Sequence, residues 1–273
     1  ERREYVPVDE VIAELDAVLK PHPELDYITF SGSGEPTLNS GIGRVAEFLK
    51  RAYPQYKLCL LTNGFCLGNP SLRREIAGID RIVPSLDASN SEEFRIINRP
   101  APGLEFDRFI YDLTDFCRCS KQEIFLELFI VPGVNDSDES ISRFVEIIRP
   151  MRVDLVQLNT LDRPGVVDWI RPSEPSNTRR FIAALEPFVA VEAVGPFRYR
   201  SKNAGQNPSL FTEMEKRIMD LVSRRPATVD DLEVALGCRA VEFHPILDRL
   251  FKAGFLEIEK RERGTFYSAP AQR

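Results

Sequence analysis

Apolar positions along the first two hundred residues fall into two alternating patterns. Val11, Ile12, Leu15, Val18 and Leu19 recur at helical spacing and predict a helix over Val8–Lys20, stopped by Pro21 and Pro23. The run Tyr27-Ile28-Thr29-Phe30 is short and β-prone and predicts a strand. A second amphipathic helix follows over Gly41–Tyr53, with Ile42, Val45, Ala46 and Leu49 on one face. The alternation then continues. Strands are predicted at Lys57–Leu61, Arg81–Leu86, Glu123–Val131, Asp154–Asn159 and Val189–Val194, and helices at Ser71–Ala77, Phe106–Phe116, Asp138–Arg149 and Ser176–Leu185. Strands that read as near-continuous apolar runs, each followed by a helix, predict a parallel sheet covered by helices, an α/β fold. A closed or partly closed barrel and an open doubly wound sheet both fit this order.

From about Ser201 the character changes. Residues 201–210 are polar, contain Gly and Pro, and read as a linker between a domain over 1–200 and a smaller one over 211–273. The second unit begins with a helix over Phe211–Arg224, broken by Pro226. Thr228 is placed to cap a short helix through Leu236, and Gly237 to end it. A third helix spans Arg239–Ala253, and Phe255–Glu259 and Thr265–Tyr267 read as two strands. Three helices and a hairpin predict a winged helix-turn-helix. Its charges nearly balance: Arg239, His244, Arg249 and Lys252 on the third helix face Glu242 and Asp248, while the wing offers Lys260, Arg261 and Arg263. Contact with nucleic acid, contact with protein and packing on the first domain all remain open readings.

Composition narrows the classes. The chain has 273 residues, 43% hydrophobic and 29% charged, with a net charge of −6. That length supports one large core or a core with an appendage, and the charge argues against a general nucleic-acid coat. No run is long and apolar enough to span a membrane, and no secretory leader is present, so a cytoplasmic location is expected. The five cysteines, Cys59, Cys66, Cys117, Cys119 and Cys238, lack a chelating spacing and read as reduced, mostly buried thiols. His22 and His244 lie outside the polar loops, which argues against histidine acid–base catalysis there.

Those loops hold the candidate chemistry. Gly32 to Glu35, Thr62-Asn63-Gly64, Ser85 and Asp87, Asn135-Asp136 and Asn159 to Arg163 all follow predicted strands. Parallel α/β proteins bind ligands on that face. The first loop, Ser31-Gly32-Ser33-Gly34-Glu35-Pro36-Thr37, offers backbone groups and one carboxylate, which suits an ammonium group. It lacks the Lys-Ser/Thr of a phosphate loop, and Glu35 would repel a pyrophosphate. A purely structural turn is the competing reading.

Taken in order, these loops resemble radical S-adenosylmethionine (SAM) enzymes. Ser31-Gly32-Ser33-Gly34-Glu35-Pro36 resembles the family's Gly-Gly-Glu-Pro motif, Leu61-Thr62-Asn63-Gly64 its Thr-Asn-Gly, and Ser85-Leu86-Asp87-Ala88 its Ser-Leu-Asp. Ile97-Asn98-Arg99-Pro100, Pro132-Gly133-Val134-Asn135-Asp136-Ser137 and Gln157-Leu158-Asn159-Thr160 resemble the group related to wyosine-base synthetases, which act on tRNA. The resemblance implies a partial (βα)6 TIM-like barrel. It assigns Gly32, Gly34, Glu35, Pro36, Thr62, Asn63, Ser85, Asp87 and Asn159 to SAM, and turns Asn98, Arg99, Asn135 and Arg163 toward a substrate. It also implies a [4Fe–4S] cluster that cleaves SAM to a 5′-deoxyadenosyl radical, with a reductant protein as electron source and a modified nucleoside or tRNA as substrate. The family's Cys-x3-Cys-x2-Cys loop and first strand do not occur in this sequence, so the chain is expected to be an N-terminal truncation, inactive by itself. A cluster-free ligand-sensing or regulatory protein is the alternative. An ordinary barrel hydrolase or lyase finds no acid–base or metal constellation to support it.

Overall fold

The computed structural model describes all residues except 1, 33, 162–166, 168, 195–196, 202–212, 225, 253–255, 262–263 and 270–273. Residues 202–210 of the expected linker and part of the expected wing, as well as Arg163, lie outside the described residues, while Ser201 is buried and accepts from the Val191 amide.

The first part of the chain runs α1 (Val8–Leu19), β1 (Tyr27–Phe30), α2 (Ile42–Ala52), β2 (Lys57–Thr62), α3 (Pro70–Glu75), β3 (Arg81–Pro84), α4 (Ser91–Ile97) and α5 (Phe106–Cys119). It continues through β4 (Glu123–Phe129), α6 (Asp138–Ile148), β5 (Leu155–Asn159), α7 (Pro175–Leu185), β6 (Val191–Ala193) and β7 (Tyr199–Arg200). The seven strands form one sheet in sequence order, parallel from β1 to β6, with β7 antiparallel to β6. Each crossover therefore steps to the adjacent strand in the same direction. A doubly wound sheet needs a point where the strand order reverses, and none occurs here. The arrangement is that of a TIM-like barrel.

Strands β2 to β5 carry apolar residues on both faces, packed into two different clusters. Leu58, Leu60, Ile82, Ile124, Leu126, Leu128, Val156 and Leu158 join the large core beneath the helices, with Phe144 and Phe181 buried among them. The intervening Cys59, Val83, Phe125 and Leu155 form a separate buried cluster on the other face, with Tyr27 and Ala190 against it. The period of two thus sorts each strand between a helix-facing core and an inner plug. At the amino ends of the strands Arg81 closes the inner face. It pairs with Glu123 at 2.7 Å and lays its guanidinium 3.8 Å from the Phe125 ring centroid.

Local signals set the boundaries. Asn69 and Asn90 accept hydrogen bonds from the first amides of α3 and α4, and Ser137 does the same for α6. Sequence pattern did not predict α4 or β7. The strand expected over Arg81–Leu86 ends at Pro84. Between α1 and α2, Gly41 permits a close approach: a Cβ there would lie 2.1 Å from Val8 Cγ2.

The later residues form α8 (Glu213–Arg224), β8 (Ala227–Thr228), α9 (Val229–Leu236), α10 (Ala240–Lys252), β9 (Glu257–Arg261) and β10 (Gly264–Ser268). The three strands make an antiparallel sheet in the order β8-β10-β9. Ile218, Val222, Leu232, Phe243, Leu247 and Leu256 form their own buried cluster. Thr228 and Asp231 complete a capping box, and Gly237 ends α9 at φ 71°. Among the described residues no helix is long and apolar enough to cross a membrane.

Candidate functional site

The carboxyl ends of β1 to β5 bring the predicted loops together. Glu35, at the start of a 3-10 turn over Pro36–Leu38, does not hold its carboxylate out to solvent. One oxygen accepts from the Thr37 amide at 3.0 Å, the Thr37 hydroxyl at 2.6 Å and the Thr62 hydroxyl at 2.7 Å. The other accepts from the Asn63 amide at 2.7 Å. Glu35 is therefore a brace that fixes the first loop to the second. Thr62 Oγ1 also accepts from the Gly64 amide, and Gly64 turns the chain at φ 79°. Pro36 starts the 3-10 turn, where its missing donor costs nothing. Beside this brace the backbone is open: a Cβ on Gly34 would meet nothing within 4 Å, and one on Gly32 would meet only the Gly34 nitrogen at 4.0 Å.

The next loops are built on Asp87. Its Oδ1 accepts from the Phe129 amide at 3.0 Å and its Oδ2 from the Asn98 side-chain amide at 3.3 Å. Burial pushes this carboxyl up to about 7; the Phe129 donor opposes the rise and the nearby Glu127 charge adds to it. Asn98 and Asn159 share an unusual state. Asn98 gives its NH2 to Asp87, and Asn159 gives its NH2 to Glu127. In each, the carbonyl oxygen is buried without a hydrogen-bond partner among the described residues. Such orphaned acceptors are costly and call for a donor.

Two predicted residues stand elsewhere. Asn135 was expected to face a substrate, and instead it is wholly buried. Its NH2 donates to the carbonyls of Asp87 and Phe129, both at 2.8 Å, and its oxygen accepts from the Val131 amide. The side chain is consumed in holding the Asp87 loop to the loop after β4. Arg99 is exposed at φ 47°, just beyond α4. Ser85 lies on the face itself, bridged in register to Glu127 of β4.

Sequence reasoning missed three side chains, Glu127, Gln157 and Glu192, which lie within strands rather than after them. Glu127 is the register partner of Gln157, and Gln157 of Glu192. The signal was present: each is a polar residue inside an apolar run, at a period-two position. Among the described residues no three His, Cys, Asp or Glu side chains gather to hold a metal ion.

Comparison with known proteins places this geometry. A family model described as the radical SAM superfamily matches residues 1–145 of the 273. A protein of Brachyspira hyodysenteriae named GTPase Obg is 30% identical over 250 residues, covering 92% of this chain and 36% of its own. A UPF0026 protein of Methanocaldococcus jannaschii is 22% identical over 273 residues, covering 98% of this chain and 82% of its own. The chain thus spans about a third of the first relative and about four fifths of the second. Among solved structures, a radical SAM methyltransferase from Sphaerobacter thermophilus superposes with a TM-score of 0.55 at 21% identity, over 69% of this chain and 56% of that one. That likeness carries the fold, and the family model carries the membership. With its sequential strand order and a family model that matches more than half of its length, the chain belongs to the radical SAM superfamily.

Proposed function

We propose that the carboxyl-end face of the sheet binds S-adenosylmethionine and that the whole protein is a radical SAM enzyme. The observation that carries this reading is the rim of acceptors: the buried, unpartnered oxygens of Asn98 and Asn159, beside the Asp87 carboxyl. SAM presents matching donors in its ribose hydroxyls and its ammonium group. The open backbone at Gly32 and Gly34 suits the methionyl end. Glu35 orients Thr62 and Asn63 beside it, so its part is positioning rather than contact. Ser85 and Asp87 then face the ribose, and Asn159 the adenosine.

The second family cofactor is a different case. Cys59 and Cys117 are buried, and burial pushes their thiols up to about 11 and about 12. No metal-holding group exists among the described residues. The described residues do not fit a [4Fe–4S] cluster. Bound SAM supplies the reactive S–C bond; this chain binds it, orients it and shapes the space above the inner plug. A reductant protein is the partner that cleavage would require. The loop resemblances to the wyosine-related group support a modified nucleoside or tRNA as substrate. The three-helix and antiparallel-sheet unit, read as a winged helix, is the candidate for holding that nucleic acid.

Two measurements test the reading. Titration calorimetry of this chain with SAM should show one saturable site. The full-length protein, reconstituted with iron and sulfide and reduced, should release 5′-deoxyadenosine. No heat with SAM would overturn the binding site. Binding without cleavage by the full-length protein would favour the alternative of a cluster-free ligand sensor.

A further inference from the structure

The inner face above the apolar plug carries one polar row. Ser85, just beyond β3, and Glu127, Gln157 and Glu192 of β4, β5 and β6 are successive register partners. Register partners in parallel strands point to the same side. Two residues earlier along three of those strands stand Val83, Phe125 and Leu155, which belong to the inner buried cluster. The row therefore rests on the plug and faces the concave side.

Its hydrogen bonding is one-sided. Gln157 Nε2 donates to Glu192 Oε2 at 3.0 Å, and Asn159 donates to Glu127 Oε1. Those bonds use one N–H of each amide. Glu127 Oε2, Glu192 Oε1 and Gln157 Oε1 receive no hydrogen bond from the described residues, and the Asn159 oxygen beside them is buried and unpartnered. Charge points the same way. Asp87 and Glu127 are close enough to repel, and Glu192 adds a third carboxyl; Arg200, the register partner of Glu192, lies at the β7 end. A phosphate or carboxylate entering here would meet the like charge of Glu127 and Glu192, with donors only at the Ser85 hydroxyl, the second N–H of each amide and the Arg200 edge. An ammonium, amidinium or guanidinium would meet acceptors on several sides.

We propose that Glu127, Gln157 and Glu192, beside the SAM-facing Ser85 and Asn159, form the floor of the substrate site and take a positively charged nitrogen group of the substrate. Its designation as a substrate floor rests on the SAM reading above; the preference for a nitrogen cation stands on the row itself. A nucleic-acid substrate would accordingly insert a basic nitrogen group and leave its phosphates outside.

The test uses an isosteric series: benzamidine, neutral benzamide and anionic benzoate, titrated against this chain by ligand-observed NMR, with SAM affinity measured in parallel. Benzamidine should bind at least fivefold more tightly than benzamide, and benzoate least. Glu127→Gln and Glu192→Gln, which keep shape and an acceptor, should each reduce the benzamidine preference at least threefold, and Glu192→Gln, whose hydrogen bond goes to Gln157 alone, should leave SAM affinity within twofold. Equal binding of benzamidine and benzamide, or a preference unchanged in both variants, overturns the proposal. SAM binding without the benzamidine preference sinks only this inference. The preference without SAM binding sinks the function reading and leaves a cation-binding floor.

Discussion

Thr62 and Glu35, 27 residues apart in sequence, are joined by a 2.7 Å hydrogen bond from the threonine hydroxyl to the glutamate carboxylate. Through that bond the glycine-bearing loop after β1 and the turn after β2 become one surface. The carboxylate takes four donors in all, so the brace is a network rather than a pair. Thr62→Val removes one donor to Glu35 and the acceptor of the Gly64 amide, and should destabilise by about 1–3 kcal/mol in urea unfolding. Glu35→Gln replaces one acceptor oxygen by an NH2 among donors and should cost about 1–3 kcal/mol. The double variant should lose less than the sum by about 1 kcal/mol, because both changes break the same network. Strict additivity would show that the two loops are held independently.

Asp87 makes stability depend on pH in an unusual direction. Its folded value is raised to about 7, against an ordinary 3.8. Between those values the folded state binds more protons than the unfolded state, so stability falls as pH rises from about 4 to about 7. Below that window both states are protonated and the group contributes nothing. Above it the folded protein carries a buried charge at full cost. Asp87→Asn should flatten this slope and be more stable than wild type at pH 8, on the order of 1–3 kcal/mol. The new amide also supplies a donor for the orphaned Asn98 oxygen once that side chain turns over. SAM affinity should fall in the same variant, since an acceptor of the rim is lost. Parallel pH–stability curves for the two proteins would refute the assignment.

Much of this was legible in the sequence because it is local. The alternation of Leu58 and Leu60 with Cys59 follows directly from the pleat, and the Thr228 and Gly237 end signals of α9 are short-range backbone chemistry. The α4 helix was missed because seven residues with Glu92 and Glu93 near its start give little apolar periodicity; its readable sign was Asn90 as a cap. The site was legible in its loops and illegible in its partners. Nothing near Glu35 in sequence shows that Thr62 and Asn63 will surround it. Asn135 has the turn chemistry of an exposed loop, yet the fold buries it against a carbonyl 48 residues away. Glu127, Gln157 and Glu192 stand inside strands, where only the register shows that they share a row.

The placement of Asn135 sets a brace against a substrate contact. Asn135→Ala removes two donors and one acceptor from the interior and leaves the Val131 amide and two carbonyls without their partner. The expected loss is about 2–4 kcal/mol in chemical unfolding. Asn135→Asp should be at least as damaging, because a carboxylate offers no donor to either carbonyl. A residue that only touched substrate would leave the unfolding midpoint within about 0.5 kcal/mol of wild type. Unchanged midpoints in both variants would therefore return Asn135 to the substrate side of the site.

The capping box of α9 gives a separate test in the later unit. Thr228 Oγ1 accepts from the Asp231 amide at 3.2 Å, while the Asp231 carboxylate accepts from the Thr228 amide at 2.9 Å. With eight residues, α9 is too short to be stable without its cap and its buried Leu232 and Leu236. Thr228→Ala should weaken the helix by about 1 kcal/mol, and Thr228→Ser should restore most of it. Amide hydrogen exchange over Val229–Leu236 reads this directly, as a roughly fivefold faster exchange in the alanine variant at 25 °C. The same change should leave exchange in β2 to β5 unaltered, since those strands belong to a different buried cluster. Acceleration in both places would show that the two clusters unfold as one cooperative unit.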